Sequence, residues 1–150
     1  MSPITRLFDV SVLIAIEDPE HSFHRSIHRW LQSHVGTTWA SCPLTENGFV
    51  RILSQPSFSA GKRTPGEAIT LLRSVKETPA WPHVFWADDY SITEPSSITG
   101  DRIGGPNQVA DVYLVALALR KGGRFLTFDG KVAWQCVPGA TASIIEIPPA

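Results

Sequence analysis

The sequence has no basic excess. Against 14 Asp and Glu it carries 13 Lys and Arg, for a net charge of −1. A nucleic-acid binder usually shows surplus positive charge, so the overall balance points away from one, although a local basic patch stays compatible with it. Cysteine is scarce too. Cys42 and Cys136 form no CxxC or Cys/His pattern, which argues against a thiolate metal centre, and nothing in their spacing asks for a disulfide. The expectation is a reduced, cytoplasmic protein. No apolar run is long enough to span a membrane. Residues 1–16 have neither a basic n-region nor a small-residue cleavage site, so no signal peptide is expected.

What is present reads as globular. Apolar residues make up 43% of the chain and charged ones 18%. A chain of 150 residues is a typical single-domain length and buries roughly 68–70% of its unfolded surface. No repeat or linker interrupts it, so one domain over 1–150 is expected.

Short apolar segments alternate with helical ones. "TRLFDV" (5–10), "TTWASC" (37–42), "HVFWAD" (83–88), "RFLTFD" (124–129) and "SIIEI" (143–147) have the composition of short strands buried on both faces. "SVLIAIED" (11–18) predicts a helix opening at Ser11 as N-cap and stopped by Pro19. Residues 21–35 predict an amphipathic helix with Phe23, Ile27, Trp30 and Leu31 on one face and Gly36 closing it. Residues 43–56 and 64–77 predict two more. The second opens on a capping box of Thr64 and Glu67, with Pro65 at the first helical position. Residues 90–108 are turn-rich, and 109–123 predict a strong helix stopped by Gly122–Gly123. Such alternation predicts an α/β fold with a central, mostly parallel sheet and helices on both faces.

In an open parallel sheet the functional crevice lies outside the carboxyl ends of the strands. Asp9 and Asp129 fall at the ends of two predicted strands. Glu46 and Asp111 fall in the first turns of helices that follow strands. Two carboxylates ~4 Å apart repel by about 4 kcal/mol at an effective dielectric near 20, so four cannot share an edge uncompensated. A divalent cation relieves them. Oxygen ligands without His or Cys favour Mg²⁺ or Mn²⁺ over Zn²⁺, and such a centre suits phosphodiester chemistry. Each acid alone also reads as an ordinary capping, first-turn or turn residue; their joint placement carries the argument.

Four segments, "LFDVSVLIA", "TENGFVRIL", "NQVADVYLVALA" and "FLTFDGKV", resemble in order and spacing the signature segments of PIN-domain ribonucleases. They are similar above all to the VapC toxins of type II toxin–antitoxin pairs. The likeness runs from about residue 5 to 147. It implies a PIN-like domain with Mg²⁺- or Mn²⁺-dependent endoribonuclease activity on structured RNA such as tRNA or rRNA, leaving a 5′-phosphate and a 3′-hydroxyl. It implies a homodimer and a cognate VapB-like antitoxin. Asp9, Glu46, Asp111 and Asp129 match the acidic quartet. Asp9, Asp111 and, through water, Glu46 would hold the metal, with Asp129 the least tightly coordinated. Ser11 matches a position that hydrogen-bonds within the cluster, where Asn is commoner, and Thr127 is expected to act similarly from its strand.

RNA affinity is left to local charge. Arg51, Lys62, Arg63, Arg102, Arg120, Lys121 and Lys131 are candidate phosphate contacts, though each taken singly also reads as a solvated side chain. Residues 57–63, "SFSAGKR", could touch RNA or form a plain surface loop. Two rival functions stay open. "FDVSVLI" also suits a haloacid-dehalogenase-like phosphatase, but Ser11 stands where its second Asp belongs. A non-catalytic PIN-like binding protein is the other, and the full quartet argues against it. His21, His24 and His28 share a predicted helix, the last two spaced to chelate zinc. No third ligand is evident, and a polar helix edge is the simpler reading. Trp30 and Trp39 read as core or dimer packing rather than base-stacking groups.

Overall fold

The computed structural model describes residues 3–58 and 63–150. Five strands form one parallel sheet: β1 (Arg6–Phe8), β2 (Trp39–Ser41), β3 (His83–Phe85), β4 (Arg124–Leu126) and β5 (Ile145–Glu146). Their order is β3-β2-β1-β4-β5, so β1 is central and the chain switches direction across it. Registers run Leu7 to Ala40 on one side and Phe8 to Leu126 on the other.

Strand alternation splits the apolar residues between two cores. Phe8, Trp39 and Leu126 face α1 (Val10–Glu17), α2 (His24–Ser33), α3 (Pro43–Leu53) and α4 (Pro65–Lys76), meeting Leu13, Ile27, Trp30, Phe49 and Leu72. Leu7, Ala40 and Phe125 face α5 (Val109–Arg120) and the C-terminal segment, meeting Val112, Val115, Val132 and Ile144. Each large side chain fully buried here contributes about 1.5–3 kcal/mol. The expected parallel sheet with helices on both faces is thus the one observed. Cys42 and Cys136 are free and buried in the second core. Trp30 and Trp39 are core residues, and the indole N–H of Trp30 donates to Glu146 Oε2 at 3.2 Å. No helix among the described residues is long and apolar enough to cross a membrane.

Helix boundaries differ from expectation where capping decides them. α1 opens at Val10, not after Ser11, because Asp9 accepts the Val10 N–H at 2.7 Å and is itself the N-cap. α2 begins only at His24, and ends at Ser33, three residues before Gly36. The Thr64–Glu67 capping box of α4 forms with both bonds at 3.1 Å. After α5, Gly122 takes φ +74°, a left-handed value that ends the helix. Gly123 lies against Thr5 O and Trp86 with no room for a Cβ, so the chain can enter β4 beside β1. Among the described residues His24 and His28 close no zinc site. Each donates a ring N–H to a carbonyl of α1, Nδ1 to Ala15 O at 2.7 Å and Nε2 to Ile16 O at 3.0 Å.

Candidate active site

β1 and β4 end side by side at Phe8 and Leu126, so the next residues out, Asp9 and Thr127, emerge together at the carboxyl rim of the sheet. The Asp9 N–H extends the ladder to Leu126 O at 3.0 Å. Thr127 is fully buried. Its hydroxyl donates to Asp9 Oδ2 at 2.8 Å and accepts the Asp129 N–H at 3.1 Å, which ties the two acid-bearing segments together. Ser11 Oγ lies 3.4 Å from the same Asp9 oxygen. Ser11 and Thr127 thus both reach the same oxygen of Asp9.

Burial pushes the Asp9 carboxyl up from its ordinary value; bonds from Thr127, Val10 and Ser11 pull it back, and the charge of Asp129 adds to the rise. Asp111, in the first turn of α5, is pushed up to about 6 by burial and by the charges of Asp9 and Asp129. Three acids from separate parts of the chain thus feel each other at one rim. Asp129 is exposed, and its Oδ1 accepts the Lys131 N–H at 2.8 Å.

Glu46 departs from the expected convergence. It sits in the first turn of α3, but its Oε2 takes the Lys76 ammonium at 2.8 Å and the Ser41 hydroxyl. Since Ser41 donates its one proton to Glu46, it accepts from His83 Nε2–H at 2.7 Å. Burial, with the Lys76 charge, drives His83 down to about 4. Glu46 already has a cation, so it is not forced toward the aspartates. Among the described residues no three His, Cys, Asp or Glu side chains stand close enough to hold a metal as they are. The donor set nonetheless fits a hard divalent cation: it is all oxygen, and Asp9 and Asp111 are raised in proton affinity by burial and then by neighbouring negative charge, which an added positive charge relieves. Lys76 and Ser41 both bind Glu46 Oε2, and turning this carboxylate toward the aspartates would break these contacts.

The sequence and the fold have counterparts. VapC44, a ribonuclease of Mycobacterium tuberculosis, is 42% identical over 135 residues, covering 90% of this chain and 93% of that protein. Ribonuclease VapC39 of the same organism is 38% identical over 144 residues, covering 96% and 99%. The chain belongs to the VapC ribonuclease family. The crystal structure of M. tuberculosis VapC20, a sarcin–ricin loop cleaving toxin, superposes with a TM-score of 0.57 over 89% of this chain and 97% of that one; at 12% identity it shares the fold. No family model matches the sequence. Membership in the VapC family sets aside the haloacid-dehalogenase-like reading of "FDVSVLI".

In this VapC chain the basic candidates part company. α5 runs antiparallel to the strands, roughly 18 Å long, and its end feeds the start of β4. Arg120 and Lys121 therefore lie at the edge opposite Asp111, engaged with Asp89, Glu94 and the Tyr90 ring. In this structure both are ion-pair partners away from the acid rim. Arg102 donates to Gln135 O at 3.2 Å. Arg63 is half-buried, and its charge acts on Glu17. Arg51 is exposed and lines the cleft between α3 and α4 that Glu46 also lines, and Lys131 is exposed beside Asp129. Lys62 lies outside the described residues. Lys76 was not among the expected site residues: nothing in "LLRSVKE" distinguishes it from a helix-end lysine until α4 is packed on α3.

Proposed function

We propose that this VapC-family chain is a divalent-metal-dependent endoribonuclease and the toxin of a toxin–antitoxin pair. The meeting of Asp9, Asp111 and Asp129 at one rim, where burial and then the charges of Asp9 and Asp129 push Asp111 up to about 6, carries the reading. These residues would hold Mg²⁺ or Mn²⁺, with Glu46 joining when released from Lys76. When bound, such an ion polarises the scissile phosphate and lowers the pKa of an attacking water. The protein's own groups do the rest. Thr127 and Val10 N–H fix both oxygens of Asp9, so that its lone pairs face the rim in one orientation. Asp129 has Oδ1 held by Lys131 N–H and keeps Oδ2 to accept a proton from the attacking water. The N-termini of α1 and α5 both open at this rim and favour an anion there. Arg51 and Lys131, both exposed, would meet flanking phosphates.

Structured RNA is the proposed substrate, the products carrying 5′-phosphate and 3′-hydroxyl ends. A VapB-like antitoxin is the proposed regulator and a homodimer the proposed assembly, acting in the cytoplasm as one PIN domain. The alternative is a VapC-like scaffold that binds without cutting. Mapping cellular RNA 5′ ends after brief induction separates them. New ends are expected with the intact chain and not with Asp9→Ala. The same ends from both proteins, with Asp9→Ala folded, would defeat the assignment.

A further inference from the structure

One cluster of aromatic residues is built on the same segment that carries Thr127 and Asp129. The chain leaving β4 reads Thr127, Phe128, Asp129. Thr127 turns to Asp9, while Phe128 turns to the loop between α1 and α2. There its ring stacks on Phe23, centroids 4.4 Å apart and planes 14° from parallel. His21 completes the group, 6.0 Å from each ring. Phe128 rests partly on the core, but Phe23 is 38% exposed. With Phe128 backing one face, Phe23 offers a partly open aromatic surface on which another flat ring can stack.

The hydrogen bonds of His21 narrow what could bind. The Phe23 backbone N–H donates to His21 Nδ1 at 3.1 Å, so Nδ1 carries no proton and Nε2 does. Nε2–H makes no hydrogen bond to the described residues, and is therefore a donor in the plane of the imidazole. A flat π-surface with a ring donor at its edge matches a nucleobase, which offers a face to stack and ring or carbonyl acceptors at its rim. An apolar side chain uses the face and leaves the donor idle.

We propose that Phe23, backed by Phe128 and flanked by His21, stacks an unpaired nucleobase of the RNA next to the scissile phosphate, selecting a looped-out nucleotide over a paired one. This inference rests on the ribonuclease reading above. Sequence preference then comes from the His21 donor, and structure preference from the need for an unstacked base.

The probe is an RNA hairpin carrying 2-aminopurine at successive loop positions, bound to Asp9→Ala so that it stays uncut. Fluorescence quenching at one loop position is expected. Phe23→Ala in that background should lose the quenching and weaken binding about tenfold, as expected for one base–aromatic stack. Phe23→Trp should restore both, and Phe23→Leu should not. With Asp9 intact, Phe23→Ala should raise KM and leave kcat nearly unchanged. Because Phe23 packs on Phe128, each variant is assayed below its own melting transition, where it is folded. Recovery by Leu equal to that by Trp overturns the proposal. So does RNA binding unaffected by Phe23→Ala, and if antitoxin binding alone is weakened, the surface belongs to the protein partner. An intact protein that cuts RNA while Phe23→Ala leaves KM and quenching unchanged sinks the platform and spares the ribonuclease; one that neither binds nor cuts RNA sinks both.

Discussion

Replacing Asp111 by asparagine removes one charge from the acid cluster while keeping its size, and in the absence of divalent metal it should stabilise the protein. No hydrogen bond to the Asp111 carboxylate is formed among the described residues, so the amide forfeits no partner. Folding raises this carboxyl from 3.8 to about 6. The folded state therefore holds a proton that the unfolded chain has released, and stability falls as pH climbs between those values. Above about 6 the penalty is complete. At about 1.4 kcal/mol per pKa unit it reaches a ceiling of about 3 kcal/mol at pH 7 and shrinks to about half a kcal/mol near pH 4. Solvent at the rim screens the charges, so a gain of about 1–3 kcal/mol is expected at pH 7. Urea unfolding in EDTA at both pH values measures it: the Asp111→Asn midpoint should exceed the parent's at pH 7 and nearly coincide with it at pH 4. Adding Mg²⁺ should narrow the pH 7 difference, because the parent gains more from the ion. A variant less stable than the parent at pH 7, or equally shifted at both pH values, would refute the idea that a buried charge beside other negative charges is the strain at this rim.

Two further perturbations probe the supports of the site. Thr127→Val keeps the shape but removes the donor to Asp9 and the acceptor for Asp129 N–H; a loss of about 1–3 kcal/mol in thermal or urea unfolding is expected, with RNA cleavage reduced beyond what the lost stability explains. Unchanged cleavage would remove Thr127 from the site. Lys76→Met frees Glu46 from its ammonium partner; metal-free stability should fall by about 1 kcal/mol, and the rise in melting temperature on adding Mg²⁺ should exceed that of the parent. Equal rises would mean that Glu46 never joins the aspartates.

Signals confined to one turn of chain were readable from residue order alone. The Thr64–Glu67 box, the Gly122 stop, the apolar triplets of β1 and β4 and the placing of Asp9 and Asp129 just beyond them follow from local backbone preference and from alternation of apolar side chains. Local rivalry misled where two capping residues stood close: Asp9 captured the first free N–H of α1 ahead of Ser11. Only the folded chain decided which side chains meet across distance. Lys76 reaches Glu46 across 30 residues, Thr127 reaches Asp9 across 118, and Phe128 reaches Phe23 through a loop that propensity reads as helix. The strand order 3-2-1-4-5 likewise arises from how helices pack over a twisted parallel sheet, and it sends Asp111 to the acid rim and Arg120 to the opposite edge of the same helix. Residue type sets what a group can do, but the electrostatic energy depends on separation and burial, and both exist only after the two cores have closed.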